Sequence, residues 1–250
     1  MSKIPLYGFN NLTKSLSFSL YKLHYLNSPQ SHHNYNAHIN TRFSADNLTI
    51  LLDKICHTIG GSVLNIAKQD YQPQGASVTL MMSEEAQPTS LTQTIVAHLD
   101  KSHLCIHTYP EEVPHDNIAI FRADIELSTC GVISPLKVLN YVIEVFDADV
   151  VDIDYRVRGM TRNLQGIKQF NDQIIENISD HLSVDVTKRF HIKNHNLAAH
   201  NLFHTKLCRQ EVNLNKHLFE LTQSDLTDTK KASIANQLQS ELQQIFTKSR

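Results

Sequence analysis

Hydrophobic and polar positions alternate along this chain with two different periods, and the periods divide it. In "DNLTILLDKICHTIGG" the apolar residues Leu48, Leu51, Leu52, Ile55 and Ile59 recur at helical spacing. Asp46 or Asn47 would cap such a helix, and Gly60-Gly61 would stop it. Short β-like segments follow: "SVLNIAK", "ASVTLMM", "TIVAHL", "HLCIHTY" and "IAIFRADIEL". The turn signals "YQPQG", "SEEAQPTS" and "PEEVPHDN" separate some of them. A second helix is expected in "LKVLNYVIEVF", with Ser134 as cap and Pro135 at its first position. "VVDIDYRVRG" then alternates strictly: Val151, Ile153, Tyr155 and Val157 face one way, Asp152, Asp154, Arg156 and Arg158 the other. Residues 47–158 therefore predict an α+β two-layer sandwich, a mainly antiparallel sheet with helices on one face. From Leu164 the chain is more polar and predicts a helical C-terminal extension. Its stripe Ile234, Leu238, Leu242 and Ile245 reads as a packing helix.

Composition narrows the function. The 250 residues are 41% hydrophobic and 19% charged, enough to bury a core without disulfides. A formal net charge of −2 offers no electrostatic grip on nucleic acid or an anionic membrane. No apolar run approaches a membrane span, and "MSKIPLYGFNNLTK" lacks a signal-peptide core. Cys56, Cys105, Cys130 and Cys208 form no CxxC pair and read as reduced thiols in a cytoplasm. No glycine-rich phosphate loop supports nucleotide hydrolysis.

Chemistry concentrates in "VAHLDKSHLCIHTYPEE", from Val96 to Glu112. On a strand His103, Cys105 and His107 share a face, so a metal-dependent hydrolase is one reading. It needs further ligands, such as His98 or Cys130, and the spacing matches no zinc pattern. The other reading is nucleophilic. Ser102 lies between Lys101 and His103, and His107 is a candidate base.

Here the residues resemble a known family. "HLDKSHLCIHTYPE", followed by "FRADIELSTCGVISPLKVLNY", is similar to the prokaryotic S-adenosylmethionine decarboxylases. "GFNNLTKSLSFSLY", "NIAKQDYQPQGASVT" and "DIDYRVRGMTR" resemble the longer Gram-negative branch, as more loosely do "FHTKL" and "DLTD".

The resemblance implies an enzyme that makes its own pyruvoyl cofactor. Ser102 would attack the carbonyl of Lys101 to form an ester, and His107 would remove the α-proton. Elimination would then split one domain into a β chain, 1–101, and an α chain, 102–250, that begins with a pyruvoyl group. Substrate would bind to that ketone as an imine and lose carbon dioxide, giving the aminopropyl donor of spermidine synthesis. By the same likeness Cys130 is the proton donor in turnover, Ser77 assists processing, Tyr71 holds the adenine or the sulfonium, and Glu111 binds substrate near the ribose. The resemblance also implies magnesium stimulation, with no ligand set legible, and αβ units assembled into a higher oligomer. A family-derived regulatory chain that no longer cleaves is the non-enzymatic alternative.

Overall fold

The computed structural model describes residues 10–84, 101–111, 114–130 and 133–249. The expected strand "TIVAHL", His98 and Glu112 lie outside them. Among the described residues ten strands form, of which eight build one sheet in the order β2-β3-β4-β5-β1-β6-β10-β9, every neighbouring pair antiparallel. These are β1 (Thr13–Tyr25), β2 (Gly61–Asp70), β3 (Ala76–Glu84), β4 (Lys101–Pro110), β5 (Ile118–Cys130), β6 (Val150–Arg158), β9 (Phe190–Asn194) and β10 (Leu202–Arg209). β7 (Thr161–Arg162) and β8 (Lys168–Gln169) pair separately. The helices are α1 (Pro29–Arg42), α2 (Ala45–Ile59), α3 (Leu139–Phe146), α4 (Val184–Arg189), α5 (Leu214–His217) and α6 (Asp228–Thr247).

Strand alternation produces the layers. β1 buries Leu16, Phe18 and Leu20 on an inner face and turns Ser15, Ser17 and Ser19 to the outer one. α2 lays Leu48, Leu52, Ile55 and Ile59 on the inner face, where α3 adds Leu139, Val142, Ile143 and Phe146. Ser44, not Asp46 or Asn47, caps α2: its side chain accepts the Asn47 N–H, and Gly60 ends the helix at φ 94°. Pro135 opens a short 3₁₀ turn ahead of α3 instead of a full helix, and Ser134 makes no side-chain cap bond there.

The structure differs from the sequence pattern in three places. α1 forms from "PQSHHNYNAHINTR", whose buried face is only Ser31, Tyr35 and Ile39. A Ser28–Ser31 capping box and Pro29 in the first turn supply what apolar periodicity does not. The tail is not wholly helical, because β9 and β10 extend the sheet, with Phe203, Thr205 and Leu207 buried. Finally, α6 packs on the outer face, opposite α2 and α3. Its Ile234, Leu238, Leu242 and Phe246 cover Leu23, Tyr25, Ile118, Val150 and Cys208. Asp152, expected to face solvent, is buried at that edge beside Lys248 (2.8 Å) and Lys206 (3.6 Å). Among the described residues α6 covers one end of the outer face, and the outward side chains of β4, His103, Cys105, His107 and Tyr109, lie on the same face.

Candidate active site

β4 runs without a bulge between β3 and β5, so its faces are set by parity. Ser102, Leu104, Ile106 and Thr108 are buried inward, whereas His103, Cys105, His107 and Tyr109 face outward and are more accessible. Lys101 heads the strand, its backbone opposite Ser83. Ser102 is 3% exposed, and its Oγ accepts the Cys130 N–H at 3.2 Å. Cys130 ends β5 on the outer face, half-buried. Ser102 and Cys130 therefore meet at one end of β4.

His107 does not join them. It lies five residues along an extended strand, roughly 16 Å from Ser102, on the opposite face. There it sits in a cross-strand row between Ser77 of β3 and Asp124 of β5. Its ring stacks on Tyr109 with centroids 6.4 Å apart. Arg122 lies over Tyr109 at 4.3 Å and reaches Asp124 at 3.3 Å. The sequence reading missed Tyr109, Arg122 and Asp124. The alternation in "FRADIEL" is the signal that could have placed Arg122 and Asp124 beside His107.

Tyr71 lies in the turn between β2 and β3, and Glu111 directly follows β4. The turn between β2 and β3 closes with the Tyr71 N–H on the Gly75 carbonyl at 2.8 Å. Gly75 has φ 94°, and a Cβ there would stand 2.7 Å from the Thr108 carbonyl, so "YQPQGAS" needs glycine at this point. Gln74 donates to the Pro110 carbonyl and Asn40 accepts the Gly75 N–H, which ties the turn to β4 and α1. Glu111 accepts the Ile120 N–H at 3.0 Å through one carboxylate oxygen. Burial pushes its pKa up, partly offset by that N–H, and Glu241 of α6 pushes it the same way as burial. One of its oxygens is thus committed to the backbone.

The metal reading needs further ligands beside the outward residues of β4, and His98 lies outside the described residues. Among the described residues no three His, Cys, Asp or Glu side chains stand close enough to hold an ion. Burial, reinforced by Glu126, also raises the Cys105 thiol, which disfavours the thiolate a metal would need. Also among the described residues, no helix is long and apolar enough to cross a membrane.

Ser102 and Cys130 thus meet at one end of β4, whereas His107 lies toward its other end beside Ser77 of β3.

Comparison with known proteins puts a family to this arrangement. The S-adenosylmethionine decarboxylase family model matches residues 35–159. The S-adenosylmethionine decarboxylase proenzyme of Pseudoalteromonas translucida is 47% identical over 255 residues, covering 98% of this chain and 94% of the relative. Those of Photorhabdus laumondii and Salmonella arizonae are each 46% identical over 256 residues, covering 98% of this chain and 97% of the relative. By model and by near-full-length identity, the chain belongs to the S-adenosylmethionine decarboxylase family.

Proposed function

We propose that this chain is a self-processing, pyruvoyl-dependent decarboxylase of S-adenosylmethionine, cytoplasmic, whose active site is completed by a second copy. The observation that carries the reading is the 46–47% identity, over 98% of the chain, to relatives named as proenzymes. Such chains are made as precursors, and Ser102 at the head of β4 is a nucleophile in the right place to cut one. It is buried from water, its Oγ is fixed by a backbone N–H, and the Lys101 carbonyl is the adjacent group. These features suit a pyruvoyl group generated at position 102.

Processing needs a base for the Ser102 α-proton after the ester forms. His107 of the same chain is roughly 16 Å away along β4, so His107 of a second copy takes that role. Two copies meeting by their open outer faces would bring each Ser102/Cys130 half-site to the partner's Tyr71/Ser77/His107/Glu111 half-site. When formed, the pyruvoyl group supplies a ketone conjugated to a carbonyl, the electron sink that decarboxylation requires. Cys130 holds the proton that returns to the substrate Cα. Tyr71 offers its ring to the sulfonium and adenine. Glu111 offers its remaining oxygen to the ribose hydroxyls. Ser77, beside His107, assists processing. The product is the decarboxylated aminopropyl donor for spermidine synthesis.

Intact mass tests the reading directly. Wild-type protein should give two chains, 1–101 and 102–250, the larger blocked at its N-terminus. Ser102→Ala should remain a single chain of 250 residues. Cleavage of Ser102→Ala at the same bond would mean that a protease, not the chain, makes the cut.

A further inference from the structure

The inner face beside Ser102 carries a buried group with no assigned task. β4 and β5 pair at His103↔Ser128, and the Cys130 N–H reaches Ser102 Oγ. Continuing the ladder by one residue sets Ser102 opposite Thr129, and parity points both side chains inward. Directly opposed side chains on one face have Cβ atoms about 5 Å apart. Thr129 is fully buried, and among the described residues its Oγ1 has no hydrogen-bond partner. A buried hydroxyl without a partner is costly, and native structures keep such groups where they do something. On its other side Thr129 pairs with Lys14, a buried ammonium held by Asp172 at 2.7 Å.

We infer that Thr129 is a further self-processing residue: its hydroxyl accepts the Ser102 O–H and aims Oγ at the Lys101 carbonyl. The inference rests on the self-cleaving reading above. His107 cannot supply this contact, from its own chain or a partner's, because it acts on the outer face while Ser102 Oγ lies on the inner one. In the step that follows, the Oγ–C bond to Lys101 forms and the C–N bond between Lys101 and Ser102 breaks. The proton that leaves Oγ ends on the Ser102 nitrogen, so no co-reactant is consumed. Elimination then carries Oγ away on the new carboxylate of Lys101, which confines the role of Thr129 to the precursor.

The experiment is a time course of cleavage after cell-free synthesis of wild type, Thr129→Val and Thr129→Ser, with Thr129→Ala as a second hydroxyl-free variant should valine not fold. Thr129→Val should cleave about tenfold slower or more, the scale of one lost hydrogen bond. Its uncut precursor should resist hydroxylamine, because the ester has not formed. Thr129→Ser should cleave near the wild-type rate. In a Ser102→Ala background, where that hydrogen bond cannot form and every chain stays uncut, Thr129→Val should not lower the melting temperature. Wild-type cleavage by Thr129→Val overturns the proposal. So does equal slowing in Thr129→Ser, which would implicate the methyl group, and so does a hydroxylamine-sensitive precursor, which would place the block after the ester. Failure of the underlying reading looks different: the wild-type chain itself would stay uncut.

Discussion

At the scale of single residues, Tyr71 gives the cleanest test of substrate capture. Its ring is placed by the turn at Gly75, and the substrate joins a permanent sulfonium to a flat adenine. A cation–π contact contributes about 0.5–2 kcal/mol, or roughly threefold to thirtyfold in capture. On cleaved protein, Tyr71→Ala should lower kcat/KM by that factor and Tyr71→Phe should lower it little. Equal loss in both would give the role to the hydroxyl. His24 tests the charge balance beneath the sheet. Burial, helped by the Lys22 charge, lowers its pKa from 6.5 to about 3, and its Nδ1 lies 3.2 Å from the Tyr35 hydroxyl. Between those values the unfolded chain binds the proton that the folded chain refuses. Stability is therefore full above about pH 6.5 and falls as pH drops toward 3, by an amount on the order of a few kcal/mol. His24→Gln cannot charge and should flatten urea midpoints measured at pH 7, 5.5 and 4.5. An unchanged slope would show that other groups set the acid limit. Asp149 is one that adds to it lower down. Burial alone would raise its carboxyl, but the bond with His217 and the Lys22 charge hold it below the ordinary range.

At the scale of elements, legibility followed apolar content. α2 and β6 could be read from the chain because apolar and polar residues alternate at one period each. α1 could not, because three buried residues in fourteen leave no stripe and local capping carries the helix. β10 was hidden by its histidine, threonine and lysine, although its inward positions alternate. The stripe on α6 was legible; the face of the sheet it covers was not, since that depends on which strand the tail joins. Leu238 is fully buried in that contact. Leu238→Ala should cost about 2–5 kcal/mol in chemical denaturation. A change within about 0.5 kcal/mol would mean that α6 is not docked.

At the scale of the whole molecule, the active-site residues could be named from motifs, but their division could not. Ser102 and His107 are five residues apart in sequence and look adjacent. On a regular strand that spacing separates them by roughly 16 Å and one change of face. On the proposed reading that separation makes the site one shared between two copies, which puts assembly at the centre of function. Subunit mixing tests this most directly. Ser102→Ala and His107→Ala precursors, distinguished by tags of different length, are made separately and then co-expressed. Made alone, neither should complete cleavage, and His107→Ala should stall as an ester that hydroxylamine splits. Made together, the His107→Ala chains should be cut between Lys101 and Ser102 by His107 of the Ser102→Ala chains, which themselves stay whole. Absence of cleavage in the mixture, with hetero-assembly confirmed by the tags, would contradict a shared site.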